Sequence, residues 1–503
     1  MNKIVMLVLD GFGYRDEETG NAIKLAHMDN YEELLEEYPY SVLSATGDEI
    51  GLPDDTTADC EVGHLTIGAG KKIKQDVTLC NEVLGSTIIE KNANLINFLT
   101  QLEEKQGTLH LMGMVSDGCV HSDITYMKNF ITHLKNLGVK KLYFHAITDG
   151  KDVAKDTAVH YLEELENVMK EVKLGKIATI CGRSFAMDRD NKWDKVKIYT
   201  DLIFKGSGVA IKNYAAGINA CYKKEVYDEN IPPILLDEKG IISNNDGIIW
   251  LNYRIDRSRE LLSILTDPNF NLFRTNRPNN LSVQTILPIN NMEIDYMMEN
   301  NEDVYALPSY LDDLGMKQAR ISSSEKFSHV TYFMNGEENK KLQHCDDYMI
   351  PSGGRYRYDE EPTITMNEIL KQTVRCMEKD YDLITVNICN PDMLGHSGDV
   401  DKTIECLKKL DEILEELFEA ADDNFYKVII TSDHGNVDEM LDADGNVTKA
   451  HSMNPVPFII RDKKVTLRHK GNLTNIAPTI LKYMDIAIPD EMKDTRVLLI
   501  DEE

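Results

Sequence analysis

The chain has 503 residues, and at roughly one to two hundred residues per domain two or three domains are expected. A hydrophobic fraction of 42% supports large cores, while 28% charged residues is ordinary for a soluble protein. Lys and Arg number 55 against 85 Asp and Glu, and the resulting charge of -30 excludes a nucleic-acid binder or a protein held on an anionic membrane. A small anionic ligand would need a local cluster of Arg and Lys working against that field. No stretch of about 18 apolar residues occurs. The apolar start, Met1 to Leu9, is broken by Asp10 and Gly11 and lacks the length and cleavage site of a signal peptide. Nine scattered cysteines, odd in number and without a CxxC pair, read as reduced thiols in a cytoplasm.

Short apolar runs alternate with longer amphipathic stretches, the βαβ rhythm of parallel sheets covered by helices. In chain order, Lys3 to Leu9 predicts a buried strand ending at Asp10. Leu109 to Val115 leads into Ser116, Asp117, Gly118 and His121, and Lys141 to Ile147 into Asp149, Gly150, Lys151 and Asp152. Lys176 to Ile180 leads into Arg183 and Arg189, and Ile248 to Tyr253 into Arg254 and Arg257. Leu383 to Cys389 precedes Asn390, Pro391 and Asp392. Asp399 to Phe418 predicts a helix, with Ile404, Leu407, Leu410, Leu414 and Leu417 at helical spacing. Val428 to Ile430 precedes Ser432, Asp433 and His434.

Ligands of open α/β sheets gather at the C-terminal ends of the strands. Acids and histidines follow the first and last strands, whereas cations follow the middle ones. The chain therefore reads as one domain formed by residues 1–75 and 306–503, with a second α/β domain, residues 76–305, inserted and a cleft between them. Asp392 and His396 stand four apart, at a strand end or on a first helical turn, and can meet one cation. Asp433 and His434 are adjacent after a strand and should diverge, each serving a different metal or function. His451 lies in the following loop, and Asp10 closes the first strand. Mixed carboxylate and imidazole donors suit Mn²⁺, Zn²⁺, Fe²⁺ or Co²⁺, and two such ions close together form a phosphoryl-transfer clamp. The plainer alternatives are helix caps for the aspartates and a simple turn for Asp433-His-Gly435.

Several segments carry a resemblance. They are Asp10-Gly-Phe-Gly13, Gly20-Asn-Ala22, Glu61-Val-Gly-His64 with Ile67-Gly-Ala-Gly70, Leu111-Met-Gly113, Ser116-Asp-Gly118 and Val120-His-Ser122. Gly182-Arg183, Ala186-Met-Asp-Arg-Asp190, Glu325-Lys326, His329-Val-Thr331, Asn390-Pro-Asp-Met393, Gly395-His396 and Asp433-His-Gly-Asn436 continue it in order. Together they resemble the cofactor-independent phosphoglycerate mutases of the alkaline phosphatase superfamily. The resemblance implies an alkaline-phosphatase-like three-layer α/β domain split in sequence, with an inserted phosphotransferase domain. It also implies two divalent ions, Mn²⁺ first, no 2,3-bisphosphoglycerate, a small phosphorylated substrate and a monomer. Asp392, His396 and His451 match the ligands of one metal; Asp10, Asp433 and His434 match those of the other, whose fourth ligand in the family is the nucleophilic serine. His121, Lys151, Asp152, Arg183, Arg189, Arg254 and Arg257 match substrate-binding positions, and Lys326 matches the lysine beside the transferring phosphate. Asp152 suits acid/base work on the substrate hydroxyls.

The sequence departs from the family at its nucleophile. Ala58, Asp59 and Cys60 stand where Gly-Asn-Ser is usual, Asp55, Thr56 and Thr57 replace Gly-Gln-Met, and Lys151 replaces an arginine. Cys60 at the serine position is a stronger nucleophile and a softer ligand that favours Zn²⁺ or Fe²⁺. Asp59 adds negative charge where a phosphate must sit, and Lys151 keeps a charge but loses the bidentate fork. Three readings follow: a working 3-phosphoglycerate/2-phosphoglycerate mutase, a relative acting on another phosphate or phosphonate ester, or a non-catalytic metal-binding paralogue. A sulfatase is excluded because Cys60 is not followed by that group's Pro and Arg.

Overall fold

The strand Lys3–Leu9 is apolar at almost every position because both of its faces are covered. Val5, Leu7 and Leu9 join a core with Ile369, Leu407, Leu410 and Leu414. Ile4, Met6 and Val8 point, by strand alternation, to the opposite face and are equally buried. This strand is central in a computed structural model that describes residues 2–54, 56–300, 304–354, 357–442 and 444–500. The chain forms two units, residues 1–75 with 302–503, and residues 76–301.

The first unit is built on an eight-stranded sheet in the order Cys345–Ile350, Gln318–Ser323, Leu383–Ile388, Lys3–Leu9, Tyr426–Thr431, Val456–Ile460, Tyr40–Ser44, Lys470–Asn472. The first five strands run parallel. Val456–Ile460 runs antiparallel to both of its neighbours. Helices Met366–Glu378 and Val400–Asp423 cover one face. The longer helix starts where the Asp399 carboxylate accepts from Lys402 N at 3.1 Å. It runs past the expected Phe418 because Ala421 adds one more buried position. Helices Cys60–Ala69, Leu307–Asp313 and Ile476–Tyr483 pack on one another outside that core, with Leu307–Asp313 against Gln318–Ser323. The result is a three-layer arrangement.

The second unit has its own eight-stranded sheet, ordered Asp295–Tyr296, Ser282–Thr285, Gly247–Trp250, Leu109–Met114, Leu142–Thr148, Lys176–Gly182, Ile234–Leu235, Val209–Ala210. Gly247–Trp250 is shorter than the expected Ile248 to Tyr253. Asn252 Oδ1 accepts from Met114 N at 2.9 Å, so a side chain replaces the next strand carbonyl and the backbone leaves the ladder. Trp250 Nε1 donates to Ser258 Oγ at 3.0 Å, and that hydroxyl donates to Arg254 O at 2.9 Å. These bonds fix the turn that carries Arg254 and Arg257.

All nine cysteines are free thiols. No helix among the described residues is long and apolar enough to cross a membrane.

A buried polar chain crosses the second sheet. His110 Nε2 lies 3.2 Å from Asp246 Oδ2, His110 Nδ1 lies 3.0 Å from His145 Nε2, and His145 Nδ1 lies 2.9 Å from Thr179 Oγ1. With Nε2–H of each imidazole donating along the chain and the Thr179 hydroxyl donating to His145 Nδ1, every one of these atoms is satisfied. Burial, then His110, holds His145 well below the ordinary histidine value. The unfolded chain takes up a proton near pH 6.5 and the folded chain does not, so stability is lost as pH falls below that value. The thermal midpoint of the second unit is expected to drop between pH 7 and pH 5, with a limiting slope of about 1.4 kcal/mol per pH unit from this histidine. His145→Gln should flatten the profile in a calorimetric scan.

Candidate functional site

The acidic and imidazole side chains of the first unit converge at one end of its parallel strands. Asp10 follows Lys3–Leu9. Asp392 lies on the first turn of helix Asn390–Ser397, tied down by Asp392 N donating to Asp10 O at 3.1 Å. His396 is one turn further along the same helix. Cys60 opens helix Cys60–Ala69, where the Asp59 carboxylate accepts from Val62 N at 2.8 Å. Asp59 therefore acts as a helix cap, and Asp55 lies outside the described residues. A Cβ at Gly63 would come within 2.6 Å of Asp433 O, so glycine is required for this helix to approach the strand end.

Ligand atoms of Asp10, Cys60, Asp433 and His434 lie within 4.8 Å of one another, as do those of Cys60, Asp392, His434 and His451. His396 Nε2 adjoins the second set, 3.4 Å from Asp392 Oδ1 and 3.2 Å from His451 Nε2. Asp433 and His434 do not diverge as their adjacency suggests: Asp433 Oδ2 and His434 Nε2 are 3.4 Å apart. The chain turns here, with His434 N donating to Asp433 Oδ1 at 3.1 Å, so strand alternation does not apply.

Lys326 is the cation of this pocket. Its Nζ lies 2.8 Å from Asp392 Oδ2, 2.9 Å from Asp10 Oδ1 and 2.5 Å from Cys60 Sγ. Burial opposes its charge, but Asp10 and Asp392 prevail and hold it firmly protonated. Burial likewise works against the Asp392 carboxylate, and Lys326 keeps it well below the usual range. Burial, then Asp433, raises Asp10. Burial pushes the Cys60 thiol up, against the pull of Lys326.

Three carboxylates thus face one ammonium, a deficit of two positive charges that grows to three when the thiol ionises. Asp433 Oδ2 is buried beside two imidazoles, with His64 Nδ1 at 3.2 Å and His434 Nε2 at 3.4 Å. A wholly buried anionic site of this kind needs further cations, and its O, N and S donors fit divalent metal ions.

Supporting residues that carried no assigned role in the sequence orient these donors. Asn387 Nδ2 donates to Asp10 Oδ2 at 2.7 Å, and Asn436 Nδ2 to Asp392 Oδ1 at 3.0 Å. His64 Nδ1 is 2.8 Å from Cys60 O and 3.2 Å from Asp433 Oδ2. Their signal was a polar residue inside an apolar run (Asn387) and two members of the quoted motifs.

In the second unit, Arg183 Nη1 donates to Asp149 Oδ1 at 2.6 Å and to Asp152 Oδ2 at 2.5 Å. Asp256 accepts from Arg189 Nη1 at 2.6 Å and lies 3.4 Å from Arg254 Nε. Arg257 donates to Met187 O at 3.1 Å. His121 Nε2 is 3.9 Å from Asp152 Oδ2. Burial, then Arg183, pushes His121 down to about 3, so it is neutral. Burial and Asp149 raise Asp152. Lys151 is exposed, and only its backbone N–H is anchored, on Asp149. Asp149, named in the sequence only as following a strand, and Asp256, not singled out there, join Asp152 in holding the arginines.

Residues 2–488 match the Metalloenzyme superfamily. The 2,3-bisphosphoglycerate-independent phosphoglycerate mutase of Staphylococcus epidermidis is 35% identical over 97% of both chains, and that of Clostridium tetani 36% identical over 98% of both. The chain belongs to this phosphoglycerate mutase family. A solved Leishmania mexicana phosphoglycerate mutase, crystallised at low cobalt concentration, is similar in fold, with a TM-score of 0.78 and 27% identity over 100% of this chain and 98% of that one. The resemblance carried by the motifs thus extends along essentially the whole length, and this phosphoglycerate mutase family member is an isomerase of a metal-dependent superfamily.

Removing divalent ions with a chelator is expected to lower the thermal midpoint, and returning Mn²⁺ or Zn²⁺ to restore it, in proportion to the logarithm of free metal. Asp433→Asn should lower the metal content of the purified protein, as counted by mass spectrometry of the eluted ions.

Proposed function

We propose that this family member interconverts 3-phosphoglycerate and 2-phosphoglycerate through a phosphoenzyme on Cys60. The observation that carries the reading is the Lys326 ammonium, in contact with Cys60 Sγ and with two acids of the metal-type centre. Asp392, His396 and His451 would hold one divalent ion, and Asp10, Cys60, Asp433 and His434 a second. Mn²⁺ follows from the resemblance, while the thiolate favours Zn²⁺ or Fe²⁺. Bound ions would supply charge neutralisation at the phosphoryl oxygens.

The protein's own residues do the remainder. Cys60 Sγ, as thiolate, forms the S–P bond while the P–O bond to the substrate carbon breaks, and the leaving alkoxide takes one proton. Lys326 offsets charge on the transferring group. The neighbouring hydroxyl, giving up a proton, then takes the phosphoryl group back from sulfur. Asp152, raised by burial, is suited to give and receive these protons. Arg183, Arg189, Arg254 and Arg257 recognise carboxylate and phosphate, with His121 and Lys151 beside them. A second reading, transfer or hydrolysis of another phosphate or phosphonate ester, draws on Cys60 itself and on Lys151, whose ammonium lacks the arginine fork.

An enolase-coupled assay with 3-phosphoglycerate and either Mn²⁺ or Zn²⁺ tests the proposal. The wild type should turn over, Cys60→Ala should lose about 10³-fold or more in kcat, and Lys326→Met about 10²- to 10³-fold. If neither the wild type nor Cys60→Ser converts the substrate, the mutase reading fails. A large gain in Cys60→Ser would point instead to the second reading.

A further inference from the structure

The second unit carries another cationic region, at the opposite edge of its sheet. A groove of about 650 Å³ is lined by Lys140, Lys141, Lys170, Lys173, Lys176 and Lys212, all of them exposed. Lys141 directly precedes the strand Leu142–Thr148, and Lys176 begins its parallel neighbour Lys176–Gly182. Asp149 and Arg183 follow the other ends of these strands, so roughly 20 Å of sheet separates the groove from the arginine cluster. Only two acids, Glu166 and Asp237, share the lining, and both are engaged. Glu166 Oε2 lies 3.0 Å from Lys170 Nζ and accepts from the Tyr214 hydroxyl at 3.2 Å. Asp237 Oδ2 lies 3.7 Å from Lys176 Nζ, and its Oδ1 accepts from Lys239 N at 3.0 Å. Among the described residues, Lys173 and Lys212 have no acid within 4.0 Å.

Helix ends attract lysine, and the C-terminus of Ala158–Val172 accounts for Lys170 and Lys173. It does not account for Lys141 and Lys176 at two strand starts, or for Lys212 before the helix Tyr214–Tyr222. In a chain of charge -30, such a local surplus of ammonium groups is a field that an anion relieves. The surroundings restrict which anion. An extended one, such as a nucleic acid or a membrane surface, would meet the acidic remainder of the molecule, whereas a compact one meets only the groove. No arginine lines the groove, so the planar fork that suits a carboxylate is missing, while ammonium point charges suit phosphate. Six lysines less two acids leave a surplus of four charges, more than the roughly two that one phosphate ester carries. Leu174, Ile177 and Leu236 line the same groove and suit a short carbon skeleton. We propose that this groove binds a compact organic bisphosphate, at a site separate from the arginine cluster.

The probe is butane-1,4-diol bisphosphate, titrated calorimetrically at low salt into the metal-loaded full-length protein. Butyl phosphate and adipate serve as the single-phosphate and dicarboxylate controls. Two variants are compared with wild type: the triple change Lys141→Gln, Lys176→Gln and Lys212→Gln in the groove, and Arg189→Gln in the arginine cluster. Thermal midpoints establish that both are folded. The wild type should bind the bisphosphate about tenfold or more tightly than either control. The triple variant should bind it about tenfold more weakly, because three exposed ion pairs contribute roughly two- to threefold each. Arg189→Gln should change that affinity by about twofold or less. Should the arginine cluster also take the probe, two binding events appear, and the triple variant should lose only one of them. A triple variant that binds as the wild type does would overturn the site, as would a wild type that does not bind the bisphosphate. A loss in Arg189→Gln as large as in the triple variant would place the ligand in the arginine cluster and also overturn it. Equal affinity for butyl phosphate or adipate would overturn the assignment to bisphosphates.

Discussion

The ammonium of Lys326 is the pivot of the first unit. It is buried, and it touches two carboxylates and the Cys60 thiol at once. Without it, a cluster of buried acids would repel itself apart or neutralise by taking up protons. With it, Asp392 remains ionised and the donors of five separate chain segments stay aimed at one volume. The same ammonium still leaves the pocket short of positive charge, and that shortage makes the site receptive to metal ions.

The second unit solves the opposite problem. Four arginines close together would disperse unless countered, and Asp149, Asp152 and Asp256 counter them at short range. Arg183 is held between Asp149 and Asp152, and Asp256 stands between Arg189 and Arg254. A chain with a charge of -30 thereby keeps four guanidinium groups together: the acids nearest them fix their positions.

Much of this was legible in the sequence because parallel strands announce themselves. Lys3–Leu9, Leu383–Ile388 and Tyr426–Thr431 are mainly apolar runs, and the residue types that follow such runs in open sheets are those that meet ligands. Motif order supplied the pairing of distant segments, which periodicity alone does not contain. What escaped has physical reasons. Asp433 and His434 converge because the chain turns immediately after the strand, which a period-two expectation does not foresee. The strand before Arg254 ends early because Asn252 takes over a ladder bond with its side chain. His64, Asn387 and Asn436 act through other residues, so nothing in their own spacing marks them. Asp149 stands at a strand end and Asp256 between two arginines in the sequence, but neither position says which guanidinium it meets.

The histidine chain in the second sheet has a further consequence for how that sheet assembles. His110, His145 and Thr179 lie on three adjacent strands whose remaining inward positions are largely apolar. Apolar strands tolerate sliding, since one branched residue can replace another against a helix. A slip by one residue on any of the three would carry its polar group to the opposite face and strand the other two among hydrocarbon. The hydrogen-bonded row therefore acts as an alignment key, rejecting mispaired forms of the sheet that hydrophobic packing alone would accept.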